Sequence, residues 1–269
     1  CGTKMVLAFI LWAIRDDPPG FRRDRGHNIM HLRLQHIAMR AFGALMLALA
    51  SAAQADDAKP WASVQTNPLV IELFTSQGCS SCPPADLVLD QLADIPGVLG
   101  LAYHVDYWDY IGWEDPFATA VSTKRQKYYR HVLGNRYIFT PQFVIGGDVS
   151  PDPSSGSLID RDAIRPPQAQ VMLKVTDAGI VMPLTNELAN PADVWVVHCD
   201  EHHKTEITKG ENAGRELGYR HVVREVQYLG DWRGQERLVG WPEKRRFGVA
   251  LMVQDRDEGT ILATLVAMD

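Results

Sequence analysis

Apolar residues run unbroken in the first half of the folded region and fall at every second position in parts of the second half. The two habits predict two kinds of architecture. Asn67 to Phe74 reads as a buried strand, and Pro83 to Ala93 as a helix with Leu87, Leu89 and Leu92 among its apolar positions. Gly100 to Asp106 is a second apolar strand. With a helix between them, these strands should lie parallel, joined by a right-handed crossover. Asp115-Pro116 looks like a helix start, Asp115 as N-cap and Pro116 in the first turn. Val121, Tyr128 and Val132 give that helix an apolar stripe, and Gly134-Asn135 should end it. Thr140 to Gly147 is a third strand, opening on a proline and closing on a Gly-Gly turn. The predicted order is β-α-β-α-β.

From Ser150 to Gln168 the chain is rich in proline, serine and aspartate, with one short helix expected around Leu158 to Ile164. A domain boundary is expected there. Beyond it Val171, Leu173 and Val175 alternate with polar residues, as do Ile180, Met182 and Leu184 after the turn Asp177-Ala178-Gly179. Further strands are predicted at Asp193 to Cys199, Thr205 to Thr208, His221 to Leu229, Phe247 to Gln254 and Ile261 to Ala267. Short strands with regular turns predict a small antiparallel β-sandwich. The fold class is therefore α/β, with one α/β domain at 62–165 and a β-rich C-terminal domain at 168–269.

At 269 residues, 46% apolar and 22% charged, the chain has the composition of a soluble globular protein. A net charge of −6 with scattered basic residues gives no nucleic-acid footprint. Near the N-terminus, Arg40 precedes the apolar run Ala41 to Ala50, and Ala53-Gln54-Ala55 forms an A-x-A site. This is the pattern of a secretory signal cleaved after Ala55. Residues 1–55 are accordingly expected to be an N-terminal extension plus signal peptide, and the mature protein periplasmic or secreted. The apolar run is too short for a permanent span, so no stable membrane insertion is expected after cleavage.

The chemistry concentrates at Val70 to Pro84, where a strand-length apolar run leads through Gly78 to Cys79-Ser80-Ser81-Cys82-Pro83-Pro84. Strand, turn, dithiol and helix in that order point to redox chemistry, because the exposed N–H groups and positive end of a helix favour a thiolate. Cys79 should be the more exposed thiol and the nucleophile. Cys82, one turn inside, should resolve the mixed disulfide. A structural clip, or half of a zinc site, is the competing account of the pair; no second CxxC exists to complete a zinc site.

A βαβαβ unit with CxxC at the first strand–helix junction and a proline opening the third strand resembles the thioredoxin fold. The resemblance implies a cis proline at Pro141 beside the dithiol, leaving the main chain of Thr140 free to pair with an incoming chain. It also suggests Glu72, near where thioredoxins hold a buried carboxylate, as a general base; the bland account is a strand-end residue facing water. The tryptophan that precedes the first cysteine in thioredoxin is replaced by Gly78.

A larger set is more specific. Glu72 to Asp86, the block His104-Val105-Asp106-Tyr107-Trp108-Asp109-Tyr110-Ile111-Gly112-Trp113, and Gly210-Glu211-Asn212-Ala213-Gly214-Arg215 together resemble a secreted bacterial family of unknown function with a thioredoxin-like domain. Cys199 departs from its usual apolar or aromatic residue and is read as a buried thiol. Asp106, Tyr107 and Trp108 follow the second strand, where loops at the carboxyl ends of parallel strands meet a site. They are expected either to line a substrate groove beside Cys79 or to pack an interface. Gly210 to Gly214 reads first as a turn and second as a docking loop.

The expected function is an exported thiol–disulfide oxidoreductase acting on protein or small-molecule thiols and disulfides. No cofactor is called for, no metal ligand set is assigned, and the oligomeric state is left open. Two alternatives stand beside it: a non-catalytic binding protein of the same fold with a structural disulfide, and a copper-handling dithiol protein with His104 as an occasional ligand.

Overall fold

The structure, a computed structural model, describes residues 64–151, 170–186, 188–242 and 246–268. The signal segment and the expected boundary helix at Leu158 to Ile164 lie outside the described residues, which all belong to one compact unit running from Lys59 to Asp269.

Two strands and a helix build the centre. Strand β2 (Leu69–Thr75) and strand β3 (Val98–His104) pair in parallel, and helix α1 (Pro83–Ala93) connects them. All fourteen residues of the two strands are buried, because both faces of the sheet are covered. Leu69, Ile71 and Leu73 pack with Ala85, Leu89 and Leu92 of α1. Val70 and Phe74 point to the other face, where they meet Tyr103, Val105 and Tyr129. Tyr129 belongs to helix α2 (Ala120–Val132), which covers that face. Strand β4 (Gln142–Ile145) runs antiparallel beside β2.

α2 begins later than the Asp-Pro signal suggests. Thr119, in extended conformation, is its N-cap, and Thr119 Oγ1 accepts from the Ser122 N–H at 3.1 Å. Asp115 caps only the turn before it, accepting from the Phe117 N–H at 2.9 Å.

The second half of the chain extends this same sheet. A long hairpin of β7 (Ala192–Glu206) and β8 (Glu216–Trp232) meets β3 through a parallel pairing of Val222 with Ala102. β10 (Gly248–Asp255), β11 (Ile261–Met268) and the short β1 (Val64–Thr66) follow outward. The eight-stranded order is β1-β11-β10-β7-β8-β3-β2-β4. Of the expected strand at Thr205 to Thr208, Thr205 and Glu206 are the outer end of β7, and Ile207 and Thr208 lie beyond it.

A three-stranded antiparallel sheet of β5 (Lys174–Thr176), β6 (Gly179–Met182) and β9 (Arg237–Val239) packs on one face of the outer strands. Ile180, Met182 and Val239 meet Val194, Leu251, Leu265 and the buried Trp232 there. The two-layer packing expected of the C-terminal segment is present, but its larger layer is continuous with the α/β unit rather than a separate sandwich. Backbone pairing explains this: without β8, the edge of β3 would leave unpaired N–H and C=O groups beside a buried core.

Candidate functional site

Cys79 and Cys82 are joined in a disulfide with Cα atoms 5.4 Å apart. Cys82 is the N-cap of α1, and its carbonyl accepts from the N–H groups of Ala85 at 2.8 Å and Asp86 at 3.1 Å. Cys79 lies in the turn before it, with its N–H on the Ser76 carbonyl at 3.2 Å. Cys82 therefore stands at the mouth of the helix, not one turn inside. Both cysteines are 0% exposed, while Ser80 and Ser81 between them face solvent. The expected exposure of Cys79 is not found.

The cover over this turn comes from the far end of the chain. The tip of the β7–β8 hairpin, residues 207–215, reaches the dithiol loop. Asn212, buried, donates its side-chain amide to the carbonyls of Gln77 at 2.9 Å and Cys79 at 3.0 Å. Arg215 braces it by donating to Asn212 Oδ1 at 2.8 Å. Glu211 accepts from the Ser80 N–H at 3.4 Å. Gly210 has φ +76°, and a Cβ there would sit 3.2 Å from the Trp113 Cβ, so the tip needs glycine at that position. Trp113 in turn donates to Gln77 Oε1 at 2.8 Å. Both accounts of Gly210 to Gly214 hold: residues 211–214 form a turn, with the Ala213 N–H on the Gly210 carbonyl at 3.2 Å, and that turn rests on the dithiol loop.

The other side of the turn is walled by Trp108. A Cβ at Gly78 would lie 3.1 Å from the Trp108 Cβ and 3.2 Å from Ile111 Cδ1, so a larger residue would have to push that wall back by a few tenths of an ångström. The Trp108 indole N–H donates to Thr140 Oγ1 at 2.7 Å. The Thr140–Pro141 peptide bond is cis. Phe74 is opposite Gln142, so the register carries Pro141 toward Thr75 at the end of β2. Trp108 thus ties the segment before Cys79 to the segment before β4. Asp106 and Tyr107 turn the other way, toward α2: Asp106 accepts from Thr123 Oγ1 at 2.6 Å, and Tyr107 donates to Gln126 Oε1 at 3.1 Å. Burial and, against it, hydrogen bonding leave the Tyr107 phenol pushed up to about 12.

Glu72 does not serve the dithiol. Strand alternation puts it on the face of Val70 and Phe74, across the sheet from α1. There its carboxylate accepts from Arg125 Nε at 2.5 Å and Nη2 at 3.0 Å, and from the Tyr129 hydroxyl. The pair is buried, with Glu72 0% exposed. Burial works against the Arg125 charge, but the Glu72 carboxylate outweighs it and the guanidinium stays charged.

Behind the dithiol turn, on the α1 side, lies a second buried polar group set. Asp86 is one helical turn below Cys82 and buried. Burial pushes its carboxyl up to about 7, although His104 and the Thr75 hydroxyl pull it back and Asp115 adds a further push. Thr75 is near enough to weigh on Asp86 without meeting hydrogen-bond geometry. Among the described residues, both Asp86 oxygens, Thr75 Oγ1, His104 Nε2 and the Tyr219 hydroxyl are buried without a hydrogen-bond partner. His104 Nδ1 meets Asp115 Oδ2 at 2.7 Å, and that same carboxylate oxygen accepts from the Gln77 N–H at 2.8 Å. Burial pushes Asp115 up, but His104 and the N–H donors outweigh it and hold its carboxyl below the ordinary range.

Asp86, Asp115 in this role, and Asn212 as a donor to Cys79 were not singled out by sequence reading. The signal available was the four-residue spacing from Cys82 to Asp86, which puts both on one helix face. Cys199 is buried, and burial first and Asp200 second push its thiol up to about 12, so it is inert. Among the described residues no group of three or more His, Cys, Asp or Glu side chains is arranged to hold a metal ion, and no helix is long and apolar enough to cross a membrane.

No curated protein matches the chain. A solved structure of a protein from Agrobacterium tumefaciens is similar over 74% of this chain and 93% of its own, with 31% identity and a TM-score of 0.59. HBP35 of Porphyromonas gingivalis matches at 14% identity over 76% of each chain, with a TM-score of 0.47. The family model described as "Protein of unknown function (DUF1223)" matches residues 70–254. With that span and the Agrobacterium relative, the chain belongs to the DUF1223 family, whose function is unknown.

Proposed function

We propose that the protein is an exported thiol–disulfide oxidoreductase with a thioredoxin-like catalytic unit built from β2, α1, β3, α2 and β4. The observation that carries this reading is the Cys79–Cys82 disulfide at the mouth of α1. A helix mouth presents N–H groups and positive potential to a sulfur, which favours the thiolate that exchange requires. The neighbouring Thr140–Pro141 segment, held by Trp108, supports the same reading.

In this scheme a substrate thiolate attacks Cys79 Sγ and forms a mixed disulfide as the Cys79–Cys82 bond breaks. Cys82 leaves with the electron pair. In the other direction the Cys82 thiolate attacks the mixed disulfide and expels the substrate thiolate. Either direction requires the hairpin tip at Asn212 to move, because both sulfurs are covered.

A Cys82→Ser variant tests the scheme by removing the resolving thiol. Incubated with a periplasmic extract, it should accumulate mixed disulfides through Cys79, identified by mass spectrometry. If Cys79 reacts with a small thiol reagent yet no mixed disulfide forms, the catalytic reading fails. A second reading, a structural disulfide in a non-catalytic binding protein, is favoured by one observation: neither cysteine is exposed.

Export rests on the basic residue, apolar run and A-x-A site ending at Ala55. N-terminal sequencing of protein recovered from the source bacterium should begin at Asp56. A mature protein that retains Met39 to Ala55 would contradict it.

A further inference from the structure

In the buried group set beneath the disulfide, Asp115 braces His104 and the Gln77 N–H, but the Asp86 carboxyl makes no hydrogen bond of normal geometry. Unpartnered buried polar atoms are costly, and five belong to this set. Asp115 Oδ2 meets His104 Nδ1 at 2.7 Å, which fixes the imidazole and leaves Nε2 buried without a partner. The Asp86 oxygens and Thr75 Oγ1 lie in the same set. With no cation bonded to its oxygens, a carboxyl buried in this set favours the protonated form.

Asp86 is also the acid best placed for Cys82. The Asp86 N–H bonds the Cys82 carbonyl, so the two side chains stand one helical turn apart, about 5–6 Å between Cβ atoms. A helical side chain leans toward the N-terminus, which for Asp86 is the direction of Cys82. Glu72, the acid that the sequence suggested, lies across the sheet and is held by Arg125.

We infer that Asp86 is the group that exchanges a proton with Cys82 during thiol–disulfide exchange, with the His104–Asp115 pair positioning it. This rests on the oxidoreductase reading. When a substrate thiolate attacks Cys79, the disulfide breaks as Asp86–COOH gives its proton to the departing Cys82 sulfur, leaving a Cys82 thiol and an Asp86 carboxylate. In the reverse step the carboxylate takes the proton back as Cys82 attacks the mixed disulfide. A cleft of about 140 Å³, lined by Pro83, Asp86, Leu87, Arg215, Glu216 and Leu217, gives the proton a route to solvent.

The groups facing Asp86 are Thr75 on β2, His104 on β3, Asp115 on the loop before α2 and Tyr219 on β8, with Arg215 and Glu216 at the cleft. Of these, Arg215 alone carries a permanent positive charge. With the carboxyl pushed up to about 7, the acid form is present at and below neutral pH.

The test is the rate at which dithiothreitol reduces the full-length oxidised protein between pH 5.5 and 9, divided by the fraction of dithiothreitol present as thiolate. For the wild type this corrected rate should fall about tenfold or more as pH rises through neutrality. For Asp86→Asn it should be flat at the high-pH level. Identical profiles in the two proteins would overturn the inference while leaving the oxidoreductase reading standing. A wild-type disulfide that resists dithiothreitol altogether would overturn both. Carboxyl ¹³C NMR of the wild type gives an answer without the variant. The Asp86 midpoint should lie near neutral pH in the oxidised protein and move on reduction, and an unchanged midpoint would overturn the inference.

Discussion

At the residue scale, two buried carboxylates behave in opposite ways because of what surrounds them. Glu72 has a guanidinium and a phenol on its oxygens, so its charge is compensated. Removing one partner strands the other. Arg125→Met should destabilise the protein by about 3–5 kcal/mol in urea unfolding, with the pH profile of disulfide reduction unchanged. Asp86 has no such partner, and its folded-state value of about 7 stands above the ordinary 3.8. The native state therefore binds more protons between those values. Stability tied to Asp86 is fully present below pH 3.8 and is lost as pH rises through about 7. Asp86→Asn should raise the Tm most at pH 8, by the equivalent of a few kcal/mol, on the order of 1.4 per pH unit of displacement. The gain should shrink toward pH 5. A gain independent of pH would contradict the assignment. Sequence cannot rank these two acids, because an acidic residue in the first turn of a helix ordinarily faces water and stabilises the helix dipole. Asp86 is buried where the start of β8 meets α1, beside residues brought from more than a hundred positions away.

At the element scale, what the sequence reveals depends on how local the determinants are. α1 is legible to the residue, since Pro83 opens it and its apolar positions repeat at helical spacing. β10 and β11 are legible almost to the residue from their apolar runs and the turn between them. The start of α2 is misread because two N-cap signals compete. Asp115 loses, its carboxylate taken by His104 and the Gln77 N–H. The hairpin of β7 and β8 is read as separate pieces because its outer half crosses from the sheet to the dithiol loop, a long-range event with no local signature. That outer half rests on the dithiol loop through Asn212. Asn212→Ala removes two hydrogen bonds to the dithiol loop, each worth about 1 kcal/mol. The tip should open more often, and dithiothreitol should reduce the disulfide about 5–30-fold faster, measured by thiol release. An unchanged rate would mean that the tip is not the barrier.

At the scale of the whole molecule, the chain builds one sheet from segments that its sequence advertises as two domains. The core beneath α2 draws Val70, Phe74 and Leu101 from the first segment and Val197, Val223, Ala250 and Met252 from the second. A fragment ending at Pro151 would lose β8 from the edge of β3 and half of that core. It should show no cooperative thermal transition by circular dichroism, whereas the fragment from Lys59 to Asp269 should melt in one step. A cooperative melt of the shorter fragment would restore the two-domain description. The shared sheet also explains how a loop some 130 residues downstream comes to rest on the cysteines.

The central claim is that this covered disulfide is a working redox pair and not a clip. Its reduction potential, measured by equilibration of the mature protein with dithiothreitol mixtures, tests that most directly. A value above about −300 mV, in the range of known exchange catalysts, is expected. A value far below about −300 mV would mark a structural bond and contradict the account.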